Sequence, residues 1–277
     1  MTYAHTPAGL TEYTIDRPSC TIHYWVGGPA DQPVVVLMHG ATMDHRMFNP
    51  QVEDLLPDYR VLVWDAPGHG KSQPLQGAFT LTQAGQDMFA ILDAQGIDRA
   101  VIGGQSLGSL IAQQMYLDDP SRFLALIAIG GVRITKQTSK LERWALKASL
   151  PLFKLWPHKN LTKVVARATV KEPLAQAYAL EASRQLTPET FAEVWAGVGA
   201  ALPEGLEEHT IDVPILITHG DQDRAGTIKR DAPAWAKHEP DATYVVIPNA
   251  AHNANQDNPE FTNRAIRDFL QRTLQKA

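Results

Sequence analysis

The sequence predicts an α/β fold: a mostly parallel, doubly wound sheet of about eight strands, with a helical cap inserted after the sixth. Three observations carry this. Short aliphatic runs alternate with amphipathic stretches of helical length. A more polar, alternating segment precedes them. One long stretch then carries helical patterns and no convincing strand.

The elements follow in order. Residues 11–26 alternate apolar with polar side chains about Asp16-Arg17-Pro18-Ser19, which predicts an antiparallel edge hairpin. Six runs then read as buried parallel strands: 34–38, 61–64, 101–103, 124–129, 215–217 and 244–247. Each is nearly continuous in β-branched or aliphatic residues, as suits strands covered on both faces. Between them, residues 80–96 put Leu81, Ala84, Met88, Ile91 and Leu92 on one helical face, open at Thr80 and stop at Gly96. Residues 107–117 align Leu107, Leu110, Ile111 and Met115. The last helix opens with Asn258 as its cap and Pro259 in its first turn. From 132 to 209 helical patterns are cut into short pieces by Pro151, Pro157, Pro173, Pro188 and Pro203. The expected organisation is a core of residues 1–131 and 210–277 with a cap of residues 132–209.

Composition sets outer bounds. The 277 residues are 44% hydrophobic and 20% charged, with a net charge of −5, which describes a globular chain, neither disordered nor collagen-like. The mild acidity argues against a nucleic-acid partner. Cys20 is the single cysteine, so no intramolecular disulfide and no thiolate zinc site can form. Residues 1–5 lack the pattern of a signal peptide, and the longest mostly apolar run, 123–131, is too short to span a bilayer. The expectation is a cytoplasmic monomer or homodimer with no membrane partner, acting on a small molecule.

Gly104-Gln105-Ser106-Leu107-Gly108 fits G-x-S-x-G, and it lies between a predicted strand and a predicted helix. A turn this sharp strains the backbone at its apex. Flanking glycines let the chain pass close to itself, and the serine hydroxyl is pushed into the open above a helix N-terminus. With this elbow stand Leu37-Met38-His39-Gly40-Ala41, Asp65-Ala66-Pro67-Gly68-His69-Gly70-Lys71-Ser72, residues 214–223 ending in Gly220-Asp221-Gln222-Asp223, and Asn249-Ala250-Ala251-His252. In these motifs and their order the chain resembles a cap-bearing serine hydrolase of the α/β-hydrolase superfamily, of the carboxylesterase-like type.

The resemblance implies a cofactor-free serine hydrolase with Ser106 as nucleophile, His252 as base and an acid after the strand at 215–217. A serine hydroxyl needs a base to take its proton, and the base needs a third group to fix its tautomer. Two carboxylates compete for that place. In the similar Gly-Asp-x-Asp motif the second usually faces the histidine, which selects Asp223 and leaves Asp221 to an Asx turn on its own backbone. The backbone N–H groups of Leu107 and Ala41 are the expected oxyanion donors, each contributing about 3–4 kcal/mol in such sites.

The remaining histidines are read as structural. His39, His69 and His219 brace loops, while His5, His23, His45, His158, His209 and His238 are scattered without ligand spacing, so no metal is expected. Trp144, Trp156 and Trp195 are candidates either for the wall of an apolar pocket or for the insertion's own small core; Met43 is a further pocket candidate. Small to medium carboxylic esters are the expected substrates. A lactone is a cyclic ester and stays open. A carbon–carbon bond hydrolase is disfavoured because Ala41-Thr42-Met43-Asp44 lacks that group's glycine-rich run, and a non-enzymatic ligand receptor is disfavoured by the complete Ser106, Asp223 and His252 set.

Overall fold

The computed structural model describes residues 3–135, 156–200 and 209–275. Eight strands form one sheet in the order β1-β2-β4-β3-β5-β6-β7-β8. The hairpin β1 (Leu10–Asp16) and β2 (Thr21–Gly27) is antiparallel, and β2 joins β4 (Arg60–Trp64) antiparallel. Every other pairing is parallel, through β3 (Val34–Met38), β5 (Ala100–Gln105), β6 (Phe123–Ile129), β7 (Ile215–Gly220) and β8 (Ala242–Ile247).

The central strands β3, β5 and β7 are buried along their whole length, as continuous aliphatic runs require. β8 departs from that expectation. It is an edge strand, and Tyr244 and Val246 are exposed while Ile247 is buried. Among the described residues its outer side has no neighbour, so the aliphatic run there covers one face of the sheet more than the other.

Among the described residues the α-helices are α1 (Asn49–Leu55), α2 (Leu81–Ala94), α3 (Leu107–Asp118), α4 (His158–Thr169), α5 (Pro173–Gln185), α6 (Pro188–Ala200), α7 (Ile228–His238), α8 (Ala254–Asp257) and α9 (Pro259–Leu274). Their starts follow local chemistry. The Thr80 hydroxyl accepts from the Gln83 N–H at 3.1 Å, and Asn258 Oδ1 accepts from the Phe261 N–H at 3.3 Å. Either cap contributes on the order of 1 kcal/mol. Leu107, Leu110, Ile111 and Met115 of α3 are all buried, the face expected from their spacing.

Helices α4, α5 and α6 lie between β6 and β7 and open at Pro157, Pro173 and Pro188. Proline suits a first turn because its missing N–H would have no partner there. Pro151, Phe153 and Pro203 lie outside the described residues. The inserted helices rest on the loops that leave the C-terminal ends of the strands. The buried Tyr178 hydroxyl of α5 accepts from the Asp44 N–H at 3.1 Å, after β3, and the Asn253 N–H, after β8, donates to Thr169 O of α4 at 2.8 Å. A Cβ on Gly197 of α6 would press into Phe79, at 2.7 Å, so that helix packs against the chain ahead of α2.

Candidate active site

Five loops leave the sheet at the C-terminal ends of β3, β5, β6, β7 and β8, and every residue expected to do chemistry sits on one of them. Ser106 forms the turn from β5 to α3, with φ 48° and ψ −107°. A non-glycine residue held at positive φ costs on the order of 1–3 kcal/mol. What holds it is close packing on both sides. A Cβ on Gly104 or Gly108 would strike the Met38 carbonyl oxygen of β3, so glycine is needed for the turn to nest against its neighbour strand. The Ser106 N–H donates to Ile129 O at 2.9 Å, tying the apex to the end of β6.

His252 is buried at the end of the loop after β8. Its Nδ1 lies 3.0 Å from Asp223 Oδ2, and the carboxylate is wholly enclosed. That contact keeps a proton on Nδ1 and leaves the Nε2 lone pair as the basic position. The other oxygen, Asp223 Oδ1, accepts from the Ala225 N–H at 2.7 Å, so Asp223 itself makes the Asx turn. Asp221 differs from its expected role on its own turn. Its Oδ1 accepts from the Ala250 N–H at 3.0 Å, and it thereby ties the end of β7 to the loop carrying His252. Asp221 and Asp223 lie in the turn that follows β7, closed by the Asp223 N–H donating to Gly220 O at 3.1 Å, and there the two carboxylates face different partners.

Two residues supporting His252 were not anticipated. Gln105 Nε2 donates to His252 O at 3.1 Å, from the position immediately before Ser106. Gly130 follows β6 at φ 57°, and a Cβ there would lie 3.0 Å from His252 O and 3.3 Å from its Nδ1. Both are anonymous in sequence: one is the free position of G-x-S-x-G, the other an ordinary strand-end glycine.

The loop after β3 has a defined shape. The Gly40 N–H points to Met47 Sδ at 3.4 Å and the Met43 N–H donates to Gly40 O at 3.1 Å. Among the described residues, neither the Ala41 nor the Leu107 N–H has a protein acceptor. Thr42 is held at φ 66°, unusual for a β-branched residue, and its N–H donates to His69 Nε2 at 3.1 Å. His39 answers in the opposite direction: its Nε2 accepts from the Ala66 N–H at 2.9 Å while its Nδ1 donates to Gly40 O at 2.8 Å. The rings thus cross-brace the loops after β3 and β4, and both must be neutral, since each accepts through Nε2.

Burial enforces that neutrality. It lowers the pKa of His39 and pushes that of His69 down to about 3, with His39 adding to the second shift. An unfolded chain protonates such a ring near the ordinary value of 6.5, whereas the native His69 resists to about 3. Between those limits the unfolded state binds more protons, so stability is complete above about 6.5 and declines as pH falls. The melting temperature of the wild type is expected to fall between pH 6.5 and 5, and His69→Gln to show a shallower fall over the same window. An equal slope in the two proteins would show that His69 is not the source.

His45, grouped in the sequence with the scattered histidines, is buried and engaged. Its Nδ1 lies 2.8 Å from Asp65 Oδ1, its ring stacks on Trp25 at 3.5 Å between centroids, and with Asp44 it forms a buried group within 4.8 Å. All these side-chain oxygens are already engaged. Arg46 and Tyr178 hold the Asp44 carboxylate, while Asp65 receives the His45 and Lys71 N–H groups. The cluster braces the loop after β3.

The pocket candidates separate. Met43 is buried with its sulfur 4.0 Å from Asn253 Nδ2, beside the His252 loop. Trp195 is partly buried against Phe191, centroids 6.1 Å apart. Trp156, expected in a pocket wall or in the insertion's core, is exposed instead, because it precedes the Pro157 start of α4 and lies outside the helix pair. Trp144 lies outside the described residues.

Comparison with known proteins agrees with the fold. A family model described as alpha/beta hydrolase fold matches residues 33–259. The chain is 28% identical over 260 residues to 3-oxoadipate enol-lactonase 1 of Acinetobacter baylyi, covering 88% of this chain and 91% of that one. It is 30% identical over 256 residues to pimeloyl-[acyl-carrier protein] methyl ester esterase of Pectobacterium carotovorum, covering 88% and 96%. Among solved structures, the enol-lactonase from Burkholderia xenovorans superposes with a TM-score of 0.80 at 21% identity, over 94% of this chain and all of that one.

Proposed function

The chain belongs to the α/β-hydrolase family, and on that premise we propose that it is a serine hydrolase that cleaves small to medium carboxylic esters through an acyl-enzyme. The observation that carries the reading is the Asp223–His252 contact, at 3.0 Å, in the company of a serine held at positive φ. In this mechanism His252 Nε2 takes the Ser106 proton as Oγ bonds to the substrate carbonyl carbon. The Ala41 and Leu107 N–H groups receive the oxyanion. Collapse breaks the bond to the alkoxy oxygen, which leaves with the proton from His252. Water, deprotonated by the same nitrogen, then attacks the acyl carbon, and Ser106 recovers its proton as the acid departs. No cofactor enters any step.

The division into a core of residues 1–131 and 210–277 and a cap of residues 132–209 belongs to the same proposal, with Met43 and Trp195 on the acyl or alcohol side of the pocket. A second reading, hydrolysis of a lactone, has a specific ground: full-length relatives are named enol-lactonases. The two readings share every bond-making step and differ in whether the leaving alkoxide stays tethered to the acyl group. A panel of p-nitrophenyl esters of increasing acyl length, run beside simple γ- and δ-lactones, tests them. Faster turnover of the open-chain esters by tenfold or more is expected; a reversed order transfers the assignment to lactones, and inertness toward both sinks the hydrolase reading.

A further inference from the structure

Helix α4 carries a surface that neither the fold nor the proposed chemistry uses. Residues 133–171 hold ten lysines and arginines against one acidic residue, Glu142, in a chain whose net charge is −5. On α4 the basic residues fall at Lys159, Lys163 and Arg167, a four-residue spacing that sets them along one exposed stripe, while Leu161, Thr162 and Ala166 are buried on the opposite side. Among the described residues none of these three cations has an ion-pair partner. Exposed apolar side chains lie in the same stretch of chain: Trp156 is 47% exposed just before the helix, Val164 49% within it, and Leu174 63% at the start of α5. The far end of α4 is fixed to the site, through Thr169 O and the Asn253 N–H at 2.8 Å.

We propose that this face of the cap docks onto an anionic membrane surface and so presents the active-site side of the enzyme to esters at a lipid–water interface. An unpaired cationic stripe interleaved with a tryptophan and aliphatic side chains is what a headgroup layer accepts. Ammonium and guanidinium groups meet lipid phosphates while the apolar side chains enter the acyl boundary. A second copy of the chain is a poor occupant, because a two-fold contact would set the cationic stripes against each other. An acidic protein would satisfy the charges but not the exposure of Trp156 and Leu174 as simply, since a lipid layer needs no shape-fitted partner. The contact needs no spanning segment, and among the described residues no helix is long and apolar enough to cross a membrane.

The test is co-sedimentation of the intact protein with vesicles of phosphatidylcholine alone and of phosphatidylcholine with about 30 mol% phosphatidylglycerol, which gives the surface a negative potential. Binding to the anionic vesicles, at least about tenfold over the neutral ones and reversed by raised salt, is expected. The triple variant Lys159→Glu, Lys163→Glu, Arg167→Glu should lose it, the Arg167→Lys variant should keep it, and Trp156→Ala should weaken it. Hydrolysis of a soluble p-nitrophenyl ester should be unchanged in all three, which separates failure of docking from failure of the catalytic reading. Equal binding to both vesicle types, undiminished binding by the triple variant, or retention on immobilised polyglutamate without vesicle binding would each overturn the proposal, the last assigning the face to an acidic protein.

Discussion

Replacing Ser106 with alanine is expected to lower p-nitrophenyl ester turnover by roughly 10^5-fold and to abolish covalent labelling by a fluorophosphonate. The size follows from chemistry. Without Oγ there is no acyl-enzyme, and His252 can at best activate water against a substrate still held by the oxyanion donors, which by themselves retain about 10^3- to 10^4-fold over the uncatalysed rate. The structure also predicts what should not change. Ser106 keeps φ 48° because Gly104 and Gly108 pack against Met38 and because its N–H reaches Ile129 O, and none of these contacts involves the hydroxyl. The variant should therefore melt within a few degrees of the wild type. Turnover that survives the substitution, or a label found by mass spectrometry on another residue, would remove Ser106 from the nucleophile's place.

Most of the fold was legible because each element satisfies local and global demands together. The 34–38 and 215–217 runs are aliphatic throughout and are buried throughout; Thr80 and Asn258 stand where a cap is needed and accept the bonds a cap accepts. The 244–247 run reads as covered on both faces because composition does not say where in a sheet a strand falls, whereas β8 lies at the edge. Contacts made by topology were beyond reach. His45 and Asp65 are twenty residues apart on loops after different strands, and only the β3–β4 pairing brings them to 2.8 Å. Gln105 is similar: its motif position tolerates any residue, and its bond to His252 O exists because the loop that leaves β8, three positions along the sheet, returns to the end of β5. For residues 133–171 the surplus of lysine and arginine is plain in the sequence. Which of those side chains face solvent beside Trp156 and Val164 depends on the way α4 lies against α5, and that is a tertiary fact.

The second large effect is expected at the acid, where the comparison of two adjacent substitutions decides more than either does alone. Asp223→Asn should lower kcat by about 10^4-fold near neutral pH, whereas Asp221→Asn should cost no more than about tenfold. Asp223 Oδ2 faces His252 Nδ1 and Oδ1 is occupied by the Ala225 N–H. An asparagine that keeps its oxygen on Ala225 must turn its NH2 toward the imidazole. Nδ1 then becomes an acceptor, the proton moves to Nε2, and the nitrogen that in the proposed mechanism takes the Ser106 proton is no longer a base. Even in the other orientation the imidazolium formed during attack loses the negative charge that stabilises it. At Asp221 the relevant atom is one oxygen accepting from the Ala250 N–H, and asparagine supplies an oxygen in the same place without any change at His252. The distinction should also show in pH profiles. Raising the pH should not restore Asp223→Asn to wild-type rates, because tautomer and charge are both wrong, while Asp221→Asn should keep the wild-type profile with a lower melting temperature, from a weakened tie between β7 and the His252 loop. If Asp221→Asn proves the more damaging of the two by orders of magnitude, the acid has been misassigned, and the 3.0 Å contact at Asp223 would be a structural brace for the histidine.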